Sequence, residues 1–282
     1  MATVGLMHPG SMGAAFGAQL VARGHTVLWC PKDRSDSSFQ RATQAGLEAA
    51  ALPALLARAD LLLSLCPPDA AEDVAGQVAE HGFDDRTYIE ANAIAPSRTH
   101  RIAERLQDSV VLDAAVVGSP PVGGKFPTLY LSGPARPATE AEELFAGTDV
   151  RTRFLGTDIG KASALKLAYS SYQKVSRVLA AVAYAAADTH GVAGELLEIA
   201  AGRSRSYLVE TDYIPKTAAR AWRWGPELAD ASVLLAEAGL PDSVTRAAVE
   251  TLARWDGDKD APLDVTEALS ALRGERAPDG QR

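Results

Sequence analysis

Residues 2–30 read as strand, glycine turn, helix and strand, and this unit constrains the fold more than any other stretch. A short apolar run, Thr3-Val-Gly-Leu-Met7, meets His8-Pro-Gly10-Ser-Met-Gly13; a small-residue helix follows, and His25-Thr-Val-Leu-Trp-Cys30 closes the unit. Such a βαβ unit calls for layered α/β architecture. A glycine turn feeding a helix start also aims free backbone N–H groups and the positive end of the helix dipole at one point, where a pyrophosphate can sit.

The turn matches the dinucleotide spacing G-x-G-x-x-G at Gly10 and Gly13, with His8 in the first position. Gly10 lets the backbone approach a phosphate closely, and Gly13 lets the helix lie tightly on the strand. His8, Pro9, Gly10, Ser11 and Met12 are therefore the expected cofactor loop. A nucleoside-triphosphate loop is excluded, because Ser11-Met12 stands where Lys and Ser/Thr are needed. After the second strand, Pro31 occupies the place of the carboxylate that would bind a ribose 2′-hydroxyl, and Lys32, Arg34, Ser35 and Ser37 suit a 2′-phosphate instead. Asp33 and Asp36 partly cancel that field. NADP (NADPH) is thus expected over NAD.

Strands continue at 60–65, 87–91, 110–114 and 129–132, with helical segments between the earlier ones. The expected fold class is α/β, a doubly wound and mainly parallel sheet, followed by an all-α C-terminal domain. Ligands in such sheets bind beyond the carboxyl ends of the strands, which nominates loops 64–68 (with Cys66 and Pro67), 92–96 (with Asn92) and 117–124 (with Val117, Gly118 and Ser119). From Asp158 the pattern changes: 159–189 reads as one long Ala-rich helix, and helices centred on Leu196, Ala219, Leu234 and Val249 follow. The expected domains are a cofactor domain over 1–157, a helical substrate and dimerisation domain over 158–273, and a frayed tail over 274–282.

The net charge of −8 argues against nucleic acid or an anionic membrane as partner. The start of the chain carries no basic segment followed by an apolar one, and the most apolar run, 47–66, is broken by Pro53, Arg58 and Asp60. A cytoplasmic location, reduced Cys30 and Cys66, and no metal site are expected. On the long helix, Lys166, Ser170, Gln173 and Lys174 share one face, with Tyr169 beside them. A Lys sheltered beside a nicotinamide could lose its proton more easily and serve as acid or base; periodicity alone favours a Lys that snorkels to solvent.

Gly5-Leu-Met-His-Pro-Gly10-Ser-Met-Gly13, Cys66-Pro-Pro, Asn92-Ala-Ile-Ala-Pro96, Asp113-Ala-Ala-Val-Val-Gly118-Ser119 and Gly160 through Lys166 together resemble the ordered landmarks of the β-hydroxyacid dehydrogenase and 6-phosphogluconate dehydrogenase superfamily. The resemblance spans nearly the whole chain and implies a Rossmann domain, a helical C-terminal domain and a homodimer formed through it. It also implies Lys166 as the catalytic Lys. Val117 stands in place of the family's substrate-binding Ser, Gly118-Ser119 in place of Gly-Gly, and Ser170 in place of the catalytic Asn. Loss of those donors removes partners for a substrate carboxylate and hydroxyl. Tyr169, Tyr172, Gln173 and Lys174 would then supply replacement contacts, and Trp222 and Trp224 would wall a more apolar pocket. The expected function is NADP-dependent hydride transfer between NADPH and a small carbonyl or alcohol. The alternatives are imine reduction and, from another class, an NADP-binding sensor or interaction protein without turnover.

Overall fold

A computed structural model describes residues 1–282 apart from 204–206, 208–209, 223, 226–227, 229–231, 233–234, 237–238 and 276–282, and apart from the side chains of 174, 177–178 and 180–182. The chain divides into two compact units, Met1–Tyr172 and Gln173–Arg282, so the divide falls inside the long helix.

The first unit is built on one sheet of eight strands among the described residues: β1 (Thr3–Leu6), β2 (Thr26–Trp29), β3 (Glu48–Ala49), β4 (Leu61–Ser64), β5 (Thr87–Glu90), β6 (Val110–Val117), β7 (Thr128–Ser132) and β8 (Arg151–Phe154). The spatial order is β3-β2-β1-β4-β5-β6-β7-β8, and every pairing is parallel except β6 with β7. The chain lays strands down in one direction from β1 to β3, then returns to the other side of β1 with β4. That reversal opens a crevice at the carboxyl ends of β1 and β4, the place where such sheets bind ligands. Helices α1 (Ser11–Ala22), α2 (Asp36–Gln44), α3 (Leu52–Arg58), α4 (Ala71–His81), α5 (Pro96–Arg105) and α6 (Ala135–Leu144) cover both faces, and α7 (Lys161–Thr189) follows β8.

Alternation of side chains along each strand divides the core in two. On one face Val4, Leu6, Trp29, Leu63, Ile89 and Leu112 pack with Phe16 and Leu20 of α1 and Leu144 of α6. On the other, Leu28, Leu62, Tyr88 and Val111 pack with Leu55 of α3, Val78 of α4 and Ile102 of α5. Apolar residues on both sides of the strands are what a doubly covered parallel sheet needs, and each fully buried side chain such as Phe16 or Leu62 contributes roughly 1.5–3 kcal/mol. Gly13 earns its place by contact: a Cβ there would collide with the His8 carbonyl oxygen, so α1 can cross the turn this closely only with glycine.

In the second unit, helices Ala193–Ala201, Ile214–Ala218, Ser243–Leu252 and Val265–Arg273 follow the end of α7. Ala218, Ala221, Leu252, Trp255, Ala268 and Ala271 form a small core, and Trp255 Nε1 donates to the Ala268 carbonyl at 2.9 Å. Asp264 and Glu267 cap the start of the last helix reciprocally, and Gly274 ends it at φ +76°. The expected helix centre Leu234 and the tail from 276 lie outside the described residues. Among the described residues no helix is long and apolar enough to cross a membrane.

Candidate active site

At the end of β1 the chain turns through His8 and Pro9 into α1. Gly10 is the residue before the first turn, with φ −67° and ψ −177°, and no side chain caps the helix. The first turn holds no acidic residue, and the helical ladder begins with Ala14 N donating to Gly10 O at 2.9 Å. The earlier N–H groups and the dipole's positive end therefore face the crevice without a competing anion of the chain's own. The His8 ring lies against Gly10, where a Cβ would come within 3.1 Å of its Cδ2. Burial, then the charges of Arg34 and Arg41, lowers the His8 pKa below its ordinary value. Its Nδ1 is buried without a partner.

Beyond β2 the expected basic turn is tied to this loop. Arg34 Nη2 donates to the Met7 carbonyl at 3.2 Å, while its Nε is buried and unpaired. Arg41 of α2, which the sequence reading did not single out, donates through Nε to the Pro9 carbonyl at 3.0 Å and through Nη2 to Ser38 Oγ at 3.1 Å. Ser35 Oγ lies 3.0 Å from Ser37 Oγ and 3.2 Å from Ser38 Oγ. A cleft of about 850 Å³ runs here, with Cys30, Lys32, Arg34, Phe39 and Leu52 among its lining. The turn thus gathers two guanidinium groups, one ammonium, three hydroxyls and the Asp33 carboxylate beside a large cleft.

A second, smaller cavity of about 210 Å³ joins Met12 from the first turn of α1, Cys66 after β4, Asn92 after β5, Ala115 and Val116 of β6, and Lys166 of α7. Its remaining lining is apolar, so Asn92, Lys166 and the Cys66 thiol are the polar side chains on its wall. Pro67 precedes the short turn 68–70 next to Cys66. Of the three residues expected after β6, Val117 ends the strand opposite Thr128, Gly118 takes φ +127°, and Ser119 is exposed; the cavity wall comes from Ala115 and Val116 instead. One turn beyond Lys166, Tyr169 is exposed and Ser170 buried. Gln173 opens the second unit, the Lys174 side chain lies outside the described residues, and exposed Trp222 lines a separate 340 Å³ surface pocket in the second unit, with Lys259 Nζ 4.3 Å from its ring centre.

The position of Lys166 follows from a carboxylate remote in sequence. Asp113 of β6 is fully buried, and its Oδ2 accepts from Gly160 N at 2.9 Å, Ala162 N at 3.0 Å, Ser163 N at 3.1 Å and Ser132 Oγ at 2.8 Å. Its Oδ1 accepts from Ser163 Oγ at 2.6 Å, and Thr99 Oγ1 lies 3.1 Å from that hydroxyl. The N-terminus of α7 is therefore fastened to the middle of the sheet, and Lys166 sits one turn further along.

A second buried carboxyl, Glu90 at the end of β5, was also unnoticed in the sequence. Burial above all raises its pKa to about 7, against the hydrogen bonds from Asn92 and with some help from the charge of Asp113. Asn92 N donates to Glu90 Oε1 at 2.9 Å, and Asn92 Nδ2 donates to Ser64 Oγ at 3.0 Å and to Cys66 Sγ at 3.4 Å. Burial, then Glu90, pushes the Cys66 thiol up.

Residues 1–150 match the family model described as the NAD binding domain of 6-phosphogluconate dehydrogenase. The chain belongs to this family. Residues 187–255 match a domain of unknown function (DUF1932). A Methanothermus fervidus protein, "Uncharacterized 28.5 kDa protein in 7S RNA 5'region", is 26% identical over 174 residues, 61% of this chain and 66% of that one, so the match spans just under two thirds of that relative's length. Among solved structures the fold is similar to an imine reductase from Pseudomonas sp. (18% identity, TM-score 0.70, 96% of this chain and 99% of that one). It is also similar to a reductive aminase from Aspergillus terreus in complex with NADPH and ethyl levulinate (21%, 0.72, 97% and 100%), and to a 3-hydroxyisobutyrate dehydrogenase from Mycobacterium tuberculosis (20%, 0.61, 98% and 100%).

Proposed function

We propose that this protein is an NADP(H)-dependent oxidoreductase that transfers hydride between the nicotinamide and a small carbonyl or alcohol, with Lys166 as the acid or base. The observation that carries the reading is the 210 Å³ cavity, in which Lys166 shares a wall with Met12 of the phosphate-binding helix and Asn92 at the end of β5. The residues present fit the cofactor: an uncapped helix N-terminus for the pyrophosphate, and an unpaired buried Arg34 Nε with Lys32, Arg41 and serine hydroxyls for a 2′-phosphate.

When bound, the nicotinamide supplies or accepts the hydride. The chain's residues bind, orient and move the proton. Lys166 Nζ gives a proton to the substrate oxygen in reduction and takes it back in oxidation, Asn92 orients the polar end of the substrate, and the apolar walls keep water out. Imine reduction is the second reading. It is favoured by the largely apolar lining of the cavity and by the likeness in fold to an imine reductase and a reductive aminase. We further propose a homodimer, since α7 exposes Val175, Leu179 and Tyr184 along one helix.

The test is the absorbance of reduced nicotinamide in the presence of ketoacids, aldehydes, neutral ketones and cyclic imines. Turnover of carbonyl compounds supports the first reading, turnover of imines alone supports the second, and tight NADPH binding without turnover of any of them would move the protein to a binding role.

A further inference from the structure

Four buried polar side chains lie in register across the sheet, on the last residues of β4, β5 and β7 and within β6. Ser64 of β4 pairs with Glu90 of β5, Glu90 with Asp113 of β6, and Asp113 with Ser132 of β7. All four are fully buried. They point to the same face, because residues paired in register stand side by side. At one end of this row Asp113 and Ser132 are saturated by the start of α7. At the other end the bonding is incomplete: Glu90 Oε2 and Asn92 Oδ1 are buried without partners, and the Tyr88 hydroxyl stands beside Ser64 and Glu90. Buried polar atoms are rarely left unpaired, and here one belongs to Asn92 and one to the Glu90 carboxyl that Asn92 N donates to; Asn92 and its partner Cys66 line the cavity of Lys166.

We propose that Glu90 is a positioning residue for this cavity: it holds Asn92 from below through the Asn92 N–H, and its carboxyl sets the charge beneath the cavity floor. The inference rests on reading that cavity as the active site. The groups facing Glu90 are Asp113 from β6, Arg98 from α5, Tyr88 on its own strand, and Ser64 and Cys66 from the end of β4. Asp113 is occupied by its five donors and Arg98 is paired to Glu72 at 2.6 Å, which leaves Glu90 as the member of the row with an oxygen to spare. With a proton, Glu90 still accepts from Asn92 N and leaves the floor neutral. Without it, a buried negative charge opposes the alkoxide that develops when a carbonyl is reduced, and favours a cationic iminium.

Glu90→Gln keeps an acceptor for Asn92 N and removes the charge; Glu90→Ala removes both. For carbonyl reduction, kcat/KM of the wild type is expected to fall roughly tenfold as pH rises through about 7. In Glu90→Gln that inflection disappears while the low-pH rate stays within about threefold; in Glu90→Ala kcat drops more than about tenfold at every pH. With a cyclic imine the wild-type inflection reverses sign. An inflection that persists in Glu90→Gln, or a Glu90→Ala variant indistinguishable from Glu90→Gln, overturns the proposal. A readout independent of turnover separates its failure from failure of the functional reading: alkylation of Cys66 by an uncharged reagent, followed by peptide mass spectrometry. Removing the charge of Glu90 is expected to speed Cys66 alkylation above neutral pH in Glu90→Gln, and an unchanged rate profile would also overturn it.

Discussion

Replacing Asp113 tests how α7 is held. Its carboxylate accepts five hydrogen bonds from Gly160 N, Ala162 N, Ser163 N, Ser132 Oγ and Ser163 Oγ, all buried. In Asp113→Ala the losses are unequal. Ala162 N keeps Ser132 Oγ at 3.0 Å, and the Ser163 hydroxyl can turn to Thr99, but Gly160 N and Ser163 N lose the acceptor that serves them. With the Ser132 hydroxyl, which also donates to Asp113, three buried donors are left unpaired at roughly 1–3 kcal/mol each, and with the lost helix cap the destabilisation is at least about 4 kcal/mol. In Asp113→Asn the amide oxygen can remain on the side of the four donors, and the amide nitrogen faces only Ser163 Oγ, which can accept. That change should cost only about 1.5 kcal/mol. Urea denaturation followed by far-ultraviolet circular dichroism reads the difference as an ordered pair of midpoint shifts. Equal shifts for the two variants, or a cost under about 1 kcal/mol for Asp113→Ala, would refute the view that this carboxylate fastens the helix.

Gly13→Ala drives a methyl into the His8 carbonyl, so it should destabilise the fold by about 2 kcal/mol and weaken NADPH binding at least tenfold, both measurable on one preparation by thermal unfolding and fluorescence titration. Lys32→Ala with Arg34→Ala should lower affinity for NADPH far more than for NADH, and Arg41→Ala should do the same to a lesser extent; an unchanged ratio of the two affinities would remove the 2′-phosphate reading. Because Glu90 is raised to about 7 in the fold against 4.5 unfolded, its contribution to stability is complete below 4.5 and is lost as pH rises through about 7; Glu90→Gln should flatten that slope in urea titrations at several pH values. Light scattering should give a dimer mass for the wild type and a monomer for Leu179→Asp, whereas a wild-type monomer would leave the exposed face of α7 unexplained.

The strands read from apolar runs agree with the observed ones to within a residue or two at most ends, because each is flanked by a turn and covered on both faces. β6 alone runs further, to Val117, since it continues into the antiparallel pairing with β7. The two strands that went unread have weak local signals: β3 is two residues long, and β8 is the edge strand Arg-Thr-Arg-Phe, with charged side chains that alternate toward solvent. At the site, Lys166 was legible only through the family resemblance, while the glycine turn and the basic turn were legible as candidates from local spacing. Arg41, Asp113 and Glu90 were not. Arg41 reads as an ordinary surface residue of α2 until the fold brings Pro9 beneath it, and Asp113 acts on a helix start nearly fifty residues away. Glu90 ends an apolar strand, and only the register with Ser64 and Asp113 reveals the polar row it belongs to.

The central claim, that Lys166 performs the proton transfer of a nicotinamide-dependent reduction, is tested most directly by comparing wild type and Lys166→Ala on the best substrate found, with NADPH affinity measured alongside. Loss of at least about a hundredfold in kcat/KM with NADPH affinity within about threefold is the predicted result. Undiminished turnover in Lys166→Ala would contradict the account.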